Sequence, residues 1–337
     1  MNEPRLGPAV APGAAAPGEP SSVRWLAVER CPACDDPNGV PQGLIPESAY
    51  AFGAELVPFP EGGIAVARCS ACGLAYKTRL PQPAYLSAVF EKYAPDKWRG
   101  RQDLADEAAA LKGLAAGGEL DLLDVGAADG ALLEACARLG TAGRRSALDV
   151  MRYPGAEAQL RGEFISGFLD SPMLEWSGRP YAVVAVYDVL EHLYRPRQAF
   201  QNLRALVRPG GLVLIETGNA ESDWPRRFGL HHWWYVRLFE HHVFWCLRAL
   251  ERIAARHGFE IVLWEEARHK SRRHASFVGI GEKLLKAGLY RLVPDSYADI
   301  ARWFGKRGNQ PWHPFAKDHF RACLRRTSPH GDAVVET

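Results

Sequence analysis

The chain has 337 residues, 47% of them apolar, and a formal net charge of +2. That length exceeds one small domain and fits a catalytic domain with an accessory module. The near-neutral balance excludes a basic nucleic-acid coat protein, although a local basic patch is compatible with it.

Residues 1–22 are rich in Ala, Pro and Gly and lack an apolar run after a basic start. They read as a disordered tail rather than a signal peptide. The most apolar later stretch, Tyr181 to Leu190, is short and contains Asp188, so it cannot span a bilayer. The expected location is cytoplasmic, where cysteines stay reduced or bind metal.

Four of the seven cysteines form two CxxC pairs, "CPAC" at Cys31 and Cys34 and "CSAC" at Cys69 and Cys72. Two intervening residues let a tight turn aim both sulfurs at one point, and two such turns give a tetrahedral thiolate set that suits structural zinc. Paired disulfides or free thiols are the alternatives. Gly73 lets the backbone curl under the metal. Between the pairs, "AFGAELVPFP" and "GIAVARC" read as the strands of a hairpin. Cys136, Cys246 and Cys323 lie in periodic segments and read as core residues.

From Leu120 onward strand and helix patterns alternate. Strands are expected at "LDLLDV", "RSALDV", "EFISGFL", "YAVVAVYDVL" and "GLVLIET", with helices at "GALLEACARLG" and "RQAFQNLRALV". "KDHFRACLRR" alternates like a last strand. The pattern predicts an α/β fold with a mostly parallel sheet and ligands beyond the strands' carboxyl ends.

The turn after the first strand is D-x-G-x-A-x-G: Asp124, Gly126, Ala128 and Gly130, with Asp129 inside the loop and Asp149 ending the second strand. Three carboxylates suit a dinucleotide's pyrophosphate badly. They suit the sulfonium and α-ammonium of S-adenosylmethionine.

"LLDVGAADG", "YAVVAVYDVLEHLYRP" and "LRALVRPGGLVLIET" together resemble class I S-adenosylmethionine-dependent methyltransferases. The likeness runs from about Leu120 to Trp264 and resumes at "KDHFRACLRR". "RCSACGLAY" followed by "PQPAYLSAVFEKY" is similar to a subgroup with an N-terminal zinc ribbon, often linked to natural-product sugars or surface glycans. The resemblance implies a Rossmann-like seven-stranded sheet with a helical insertion before its last strand. It divides the chain into a tail (1–22), a zinc-ribbon module (23–80), a helical linker (81–118), a methyltransferase domain (119–327, with the insertion at about 269–315) and a second tail (328–337). One departure is Ala128, where the family has glycine.

The resemblance also assigns roles. Asp124, Gly126, Ala127, Ala128 and Gly130 cradle the methionyl part, Asp149 takes the ribose hydroxyls beside Val150, Phe168 and Leu169 flank the adenine, and Asp188 and Val189 line the pocket. Phe168 and Leu169 could equally be core, and Asp188 a helix cap.

Methyl transfer, to O, C or N, needs alignment; a general base helps for a hydroxyl acceptor and is required for a carbon acid. His192 in "LEHL" is the first candidate, with Glu191 orienting it or binding acceptor; the alternative is a loop-fixing role. His241 in "FEHHVFW" is the second, touching acceptor or capping a helix. His231, Trp233 and Trp234 sit in a segment, Trp224 to Trp245, that holds four of the ten tryptophans. Their rings could stack on a flat acceptor or plug a hydrophobic gap. The basic run Arg268 to His274 could grip a diphosphate or be a solvated face. After it, "ASFVGIGEKLLKAGLY" and "DSYADIARWFGK" read as helices that shape the acceptor pocket or form a homodimer surface.

The expected function is methyl transfer to a small polar metabolite, a sugar of a nucleotide sugar, glycan or natural product, with S-adenosylmethionine as donor and structural zinc as cofactor. The alternatives are an RNA methyltransferase and a non-catalytic S-adenosylmethionine binder. Against RNA, residues 31 to 67 contain no Lys or Arg.

Overall fold

The computed structural model describes residues 23–52, 55–98, 104–114, 119–269 and 316–327, with a few single positions between 285 and 292. Apart from Arg268 and His269, the basic run and nearly all of the two insertion helices lie outside the described residues, as do both tails.

Seven strands form the main sheet: β1 (Leu122–Val125), β2 (Arg145–Asp149), β3 (Phe164–Ser166), β4 (Tyr181–Tyr187), β5 (Val207–Gly218), β6 (Phe259–Ala267) and β7 (His319–Arg326). Their order is β3-β2-β1-β4-β5-β7-β6. The first five are parallel, and β7 runs antiparallel to both β5 and β6. This is the mostly parallel α/β sheet that the alternating pattern predicts. β1 is buried along its whole length, as a strand covered on both faces must be. Pro196 opens the helix Pro196–Leu206, where a missing N–H costs nothing. That helix buries Ala199, Phe200, Leu203 and Leu206 on one stripe, and the helix Leu247–Arg256 buries Ala249, Leu250, Ile253 and Ala254. The helices Pro83–Trp98 and Ala105–Gly113 fill the stretch read as a helical linker.

The N-terminal strands pair differently from the expected hairpin. "AFGAELVPFP" folds on itself, Ala49–Phe52 against Glu55–Pro58. "GIAVARC", as Ile64–Cys69, pairs with Gly39–Ile45 on one side and Ala75–Lys77 on the other. The reason is the length of the insert: it is long enough to close its own hairpin. The second knuckle then draws Ile64–Cys69 against its own returning chain. Gly39–Ile45, interrupted by Pro41 and a register shift between Pro41 and Gly43, carries no clear alternation that would mark it as a strand.

This small sheet is continuous with the rest of the chain. Its outer strand is Val243–Phe244, contributed from between β5 and β6. Lys77, fully buried, donates from Nζ to the Leu238 carbonyl at 2.6 Å. Arg68 and Arg248 donate across the same seam to the carbonyls of Ala220 and Ala71. Cys31, Cys69, Cys72, Leu74 and Tyr76 share one buried cluster with Val243, Trp245 and Leu190. The module is thereby packed into the main core rather than tethered to it. Among the described residues no helix is long and apolar enough to cross a membrane.

Candidate functional site

A cavity of about 590 Å3 opens at the carboxyl ends of β1, β2 and β4. One end is the acidic turn. Asp149 accepts the Ala128 N–H on Oδ2 and the Met151 N–H on Oδ1, both at 2.9 Å. These two bonds fix the carboxylate at the end of β2. Ala128 sits at φ +45, so the position that departs from glycine still takes a left-handed backbone, at a cost of about 1–2 kcal/mol. Gly126 has φ +71 and an added Cβ would lie 2.5 Å from Val189 Cγ2. At Gly130, with φ +81, it would lie 2.5 Å from the Ala156 backbone.

Asp124 is buried. Its desolvation, reinforced by the Asp149 and Asp129 carboxylates, pushes its carboxyl up to about 8. Burial also raises Asp149, against its backbone N–H donors. Such a ring favours a positive ligand. A sulfonium and an ammonium supply one, whereas a diphosphate would add repulsion. The residues present therefore fit S-adenosylmethionine.

Asp188, Val189, Phe168 and Leu169 all line the cavity. Phe168 is partly exposed at its edge and Leu169 is buried beneath it. The Asn202 side chain donates to the Leu169 carbonyl at 2.7 Å and fixes that loop. The N-cap position of the short 3-10 turn Leu190–His192 is Val189, not Asp188.

The other end of the cavity is built by His192, His241 and their supports. The His192 Nδ1 lies 2.8 Å from the Glu240 carbonyl and the His241 Nδ1 lies 3.0 Å from the Tyr235 carbonyl. A carbonyl only accepts, so each Nδ1 carries the proton and each Nε2 offers a lone pair. The rings stand edge to face with centroids 4.8 Å apart. Glu191 is buried, and its carboxylate is occupied: Thr217 donates to Oε2 at 2.8 Å and the Tyr235 hydroxyl to Oε1 at 2.5 Å. It holds the hydroxyl of Tyr235, whose carbonyl holds His241.

The tryptophan segment divides. Trp234 lines the cavity and donates its indole N–H to Asp318 at 2.7 Å. Trp233 is wholly buried under it, stacked on Tyr235. His231 faces the ribbon module, its Nδ1 3.0 Å from the Gln42 carbonyl. Neither His231 nor Trp233 lines the cavity.

Several wall residues were not singled out from sequence: Tyr50 from the ribbon module, Phe90 from the linker helix, Tyr235, Glu240 and His269. Tyr50 and Phe90 are aromatics in stretches without a chemical motif. His269 lies two residues past the strand Phe259–Ala267, inside the basic run Arg268 to His274, and that placement was the available signal. Its burial pushes the imidazole down to about 4.

In the ribbon module, the sulfurs of Cys31, Cys34, Cys69 and Cys72 lie within 4.8 Å of one another. Cys31 and Cys72 are 3.6 Å apart, and Cys34 and Cys69 3.5 Å. A tetrahedron of thiolates at zinc has edges of about 3.8 Å, so the donor set fits that ion. Hydrogen bonding from Cys31 pulls the Cys72 thiol down to about 5.

The family model for a methyltransferase domain matches residues 85–263. The chain belongs to the methyltransferase-domain family. Curated relatives include ubiquinone biosynthesis O-methyltransferases of Bordetella avium, 31% identical over 103 residues (29% of this chain, 42% of that protein), and of Shewanella pealeana, 32% identical over 103 residues (29% and 43%). The chain thus matches less than half the length of these relatives. Among solved structures, this methyltransferase is similar to the 1,6-didemethyltoxoflavin-N1-methyltransferase of Burkholderia thailandensis, solved with 1,6-didemethyltoxoflavin and S-adenosylhomocysteine, at 17% identity over 84% of this chain and 100% of that one, with a TM-score of 0.46. It is also similar to a putative methyltransferase of Bacillus halodurans, at 16% identity, 66% and 100% coverage and a TM-score of 0.46.

Proposed function

We propose that the protein transfers the methyl group of S-adenosylmethionine to a hydroxyl of a small polar metabolite, a sugar of a nucleotide sugar, glycan or natural product. The observation that carries this reading is one cavity with a carboxylate ring at one end and two Nδ1-anchored histidines at the other. The donor supplies a methyl carbon already activated by sulfonium. The chain's task is then to align donor and acceptor and to exclude water.

In this reading Asp149 holds the ribose, and Asp124 with the turn at Gly126 to Gly130 holds the methionyl end. Tyr50, Phe90 and Trp234 wall the acceptor end. His192 Nε2, with His241 beside it, would take the proton of the acceptor hydroxyl. Bound S-adenosylmethionine would supply the methyl carbon and keep the sulfur electron pair as a neutral thioether. The relatives' name, O-methyltransferase, supports oxygen as the receiving atom. The four cysteines hold structural zinc: four thiolates complete the sphere and leave no catalytic position. The module so clamped presents Tyr50 to the acceptor.

The test is a mass-spectrometric screen. Full-length protein is incubated with methyl-labelled S-adenosylmethionine and panels of nucleotide sugars, glycosides and RNA. Label on a sugar hydroxyl is the expected result. Label on an RNA base, or a protein that binds the donor and labels nothing in any panel, overturns the reading.

A further inference from the structure

A second group of side chains converges at the same edge of the sheet, away from the histidine pair. Asp188 follows β4, His269 follows β6, and His319 opens β7. Strand register brings them together: His319 pairs with Gly218 of β5 and with Ala267 of β6, two residues before His269. One carboxylate oxygen and one nitrogen from each ring lie within 4.8 Å of one another. His269 Nε2 is 3.9 Å from Asp188 Oδ2, too far for a hydrogen bond. The His269 and His319 rings have centroids 4.7 Å apart.

His319 is the informative member. It is wholly buried, and its Nδ1 meets the Asp318 carboxylate at 2.8 Å. Its Nε2, also buried, has no hydrogen-bond partner among the described residues. A buried polar atom left this way costs stability and calls for a ligand. The Asp318–His319 pair is the arrangement that sets a metal-bound imidazole: Nδ1–H donates to the carboxylate, which turns Nε2 outward as the ligating atom. Asp318 is itself held by the Trp233 and Trp234 indoles. Asp188 adds a backbone observation. It stands at φ +53, a left-handed conformation that a non-glycine residue holds only where its surroundings impose it.

We propose that Asp188, His269 and His319 form a site for one first-row divalent cation, with Asp318 as a positioning residue. Two imidazoles and one carboxylate suit such an ion and leave coordination positions open. Ligand atoms at about 2.1 Å from a metal stand about 3 Å apart, so Asp188 and His269, both at the cavity wall, rotate inward on binding. The Tyr235 ring lies between this group and the histidine pair, its centroid 5.0 Å from His319 and 4.1 Å from His241. Resting on the methyltransferase reading, the open positions face the acceptor end and take an acceptor oxygen, whose proton the cation makes easier to lose.

The test uses full-length protein with its cysteines loaded with zinc, titrated with Co2+ alone. Visible absorption and metal counting after dialysis report binding, and no donor or acceptor is present. The expected result is one Co2+ per chain beyond the zinc, with a spectrum free of sulfur-to-metal charge transfer. Binding should weaken at least tenfold in His319→Gln and in His269→Gln. His269→Gln guards against misfolding, because His269 sits at the cavity wall and its circular dichroism and melting can be matched to the parent. No Co2+ beyond the zinc, or undiminished binding in a folded His269→Gln, overturns the proposal. Co2+ bound here by a protein that binds no S-adenosylmethionine would break the methyltransferase reading and leave the cation site standing; the converse result would do the reverse.

Discussion

His192 and His241 meet edge to face, 4.8 Å between ring centroids, each with its Nδ1 tied to a backbone carbonyl. Those ties remove one tautomer from each ring and leave two basic nitrogens over one small volume. A proton acceptor placed this way accelerates transfer from a hydroxyl by about a hundredfold to ten-thousandfold. His192→Ala should therefore lower kcat by a factor in that range and leave the Kd for S-adenosylmethionine unchanged. His241→Ala should lower kcat less, because its ring stands behind that of the base. Steady-state rates beside calorimetric binding check the split. Equal loss of rate and donor affinity would place His192 in the cofactor site instead.

Asp124 ties donor binding to pH. Burial, and then Asp149 and Asp129, raise its carboxyl to about 8 from an ordinary 3.8. Between those values the folded, ligand-free chain holds a proton that the unfolded chain has released, so its stability falls as pH rises through that window. A cationic donor favours the carboxylate. Its affinity should rise with pH up to about 8 and level above, and one proton should leave on binding near neutrality. Calorimetry in buffers of different ionisation enthalpy measures that proton. Asp124→Asn should flatten the pH dependence of stability and weaken the donor by about tenfold or more, the worth of one charged hydrogen bond. A donor affinity that is flat with pH would exclude Asp124 from the contact.

The acidic turn was legible in the sequence because its chemistry is local. Asp124, Gly126 and Gly130 lie within seven residues of one another, and Asp149 closes the next strand. The same holds for the cysteine knuckles. The acceptor end is different. Tyr50 reaches it from the ribbon module and Phe90 from the linker, and only tertiary packing brings them opposite Trp234. Of the neighbours His231, Trp233 and Trp234, a sequence shows three aromatic side chains in a row. Which of them faces the cavity is set by a short turn of helix at Trp234–Arg237, too brief to read from periodicity. His319 illustrates the same limit: its strand was evident, but its partner His269 lies just past the end of β6, in a register no local pattern specifies.

Two glycines of the turn should respond differently to alanine. At Gly130 the new Cβ meets the Ala156 backbone at 2.5 Å, which cannot move without shifting a helix. Gly130→Ala should destabilise the fold by about 2 kcal/mol or more, combining left-handed strain with the clash. At Gly126 the neighbour is only the tip of Val189, which lines the donor pocket. Gly126→Ala should push Val189 into that pocket and weaken donor binding more than it lowers stability. Val189→Ala in the same chain should restore part of the affinity, a coupling that a double-mutant cycle measures. No restoration would mean that the strain at φ +71 alone accounts for the loss.

The ribbon module links metal to catalysis through packing. Cys72 is buried in the cluster that also holds Leu190 and Trp245, next to the turn that carries His192. Tyr50 leaves the same module and walls the acceptor end. Removing one ligand, as in Cys72→Ser, should release zinc, since a four-ligand site binds as a unit. The melting temperature should then drop by about 3–4 °C, the shift that two or three kcal/mol makes in a chain of this size. The consequence for function should be selective. Donor binding depends on the acidic turn after β1 and on Asp149 at the end of β2, and should persist at temperatures below the lowered melt. The KM for the acceptor should rise, because Tyr50 loses its support. Zinc content by mass spectrometry, calorimetry with the donor and acceptor kinetics separate these effects. Loss of donor affinity in parallel with zinc would show that the two halves of the cavity fold as one unit.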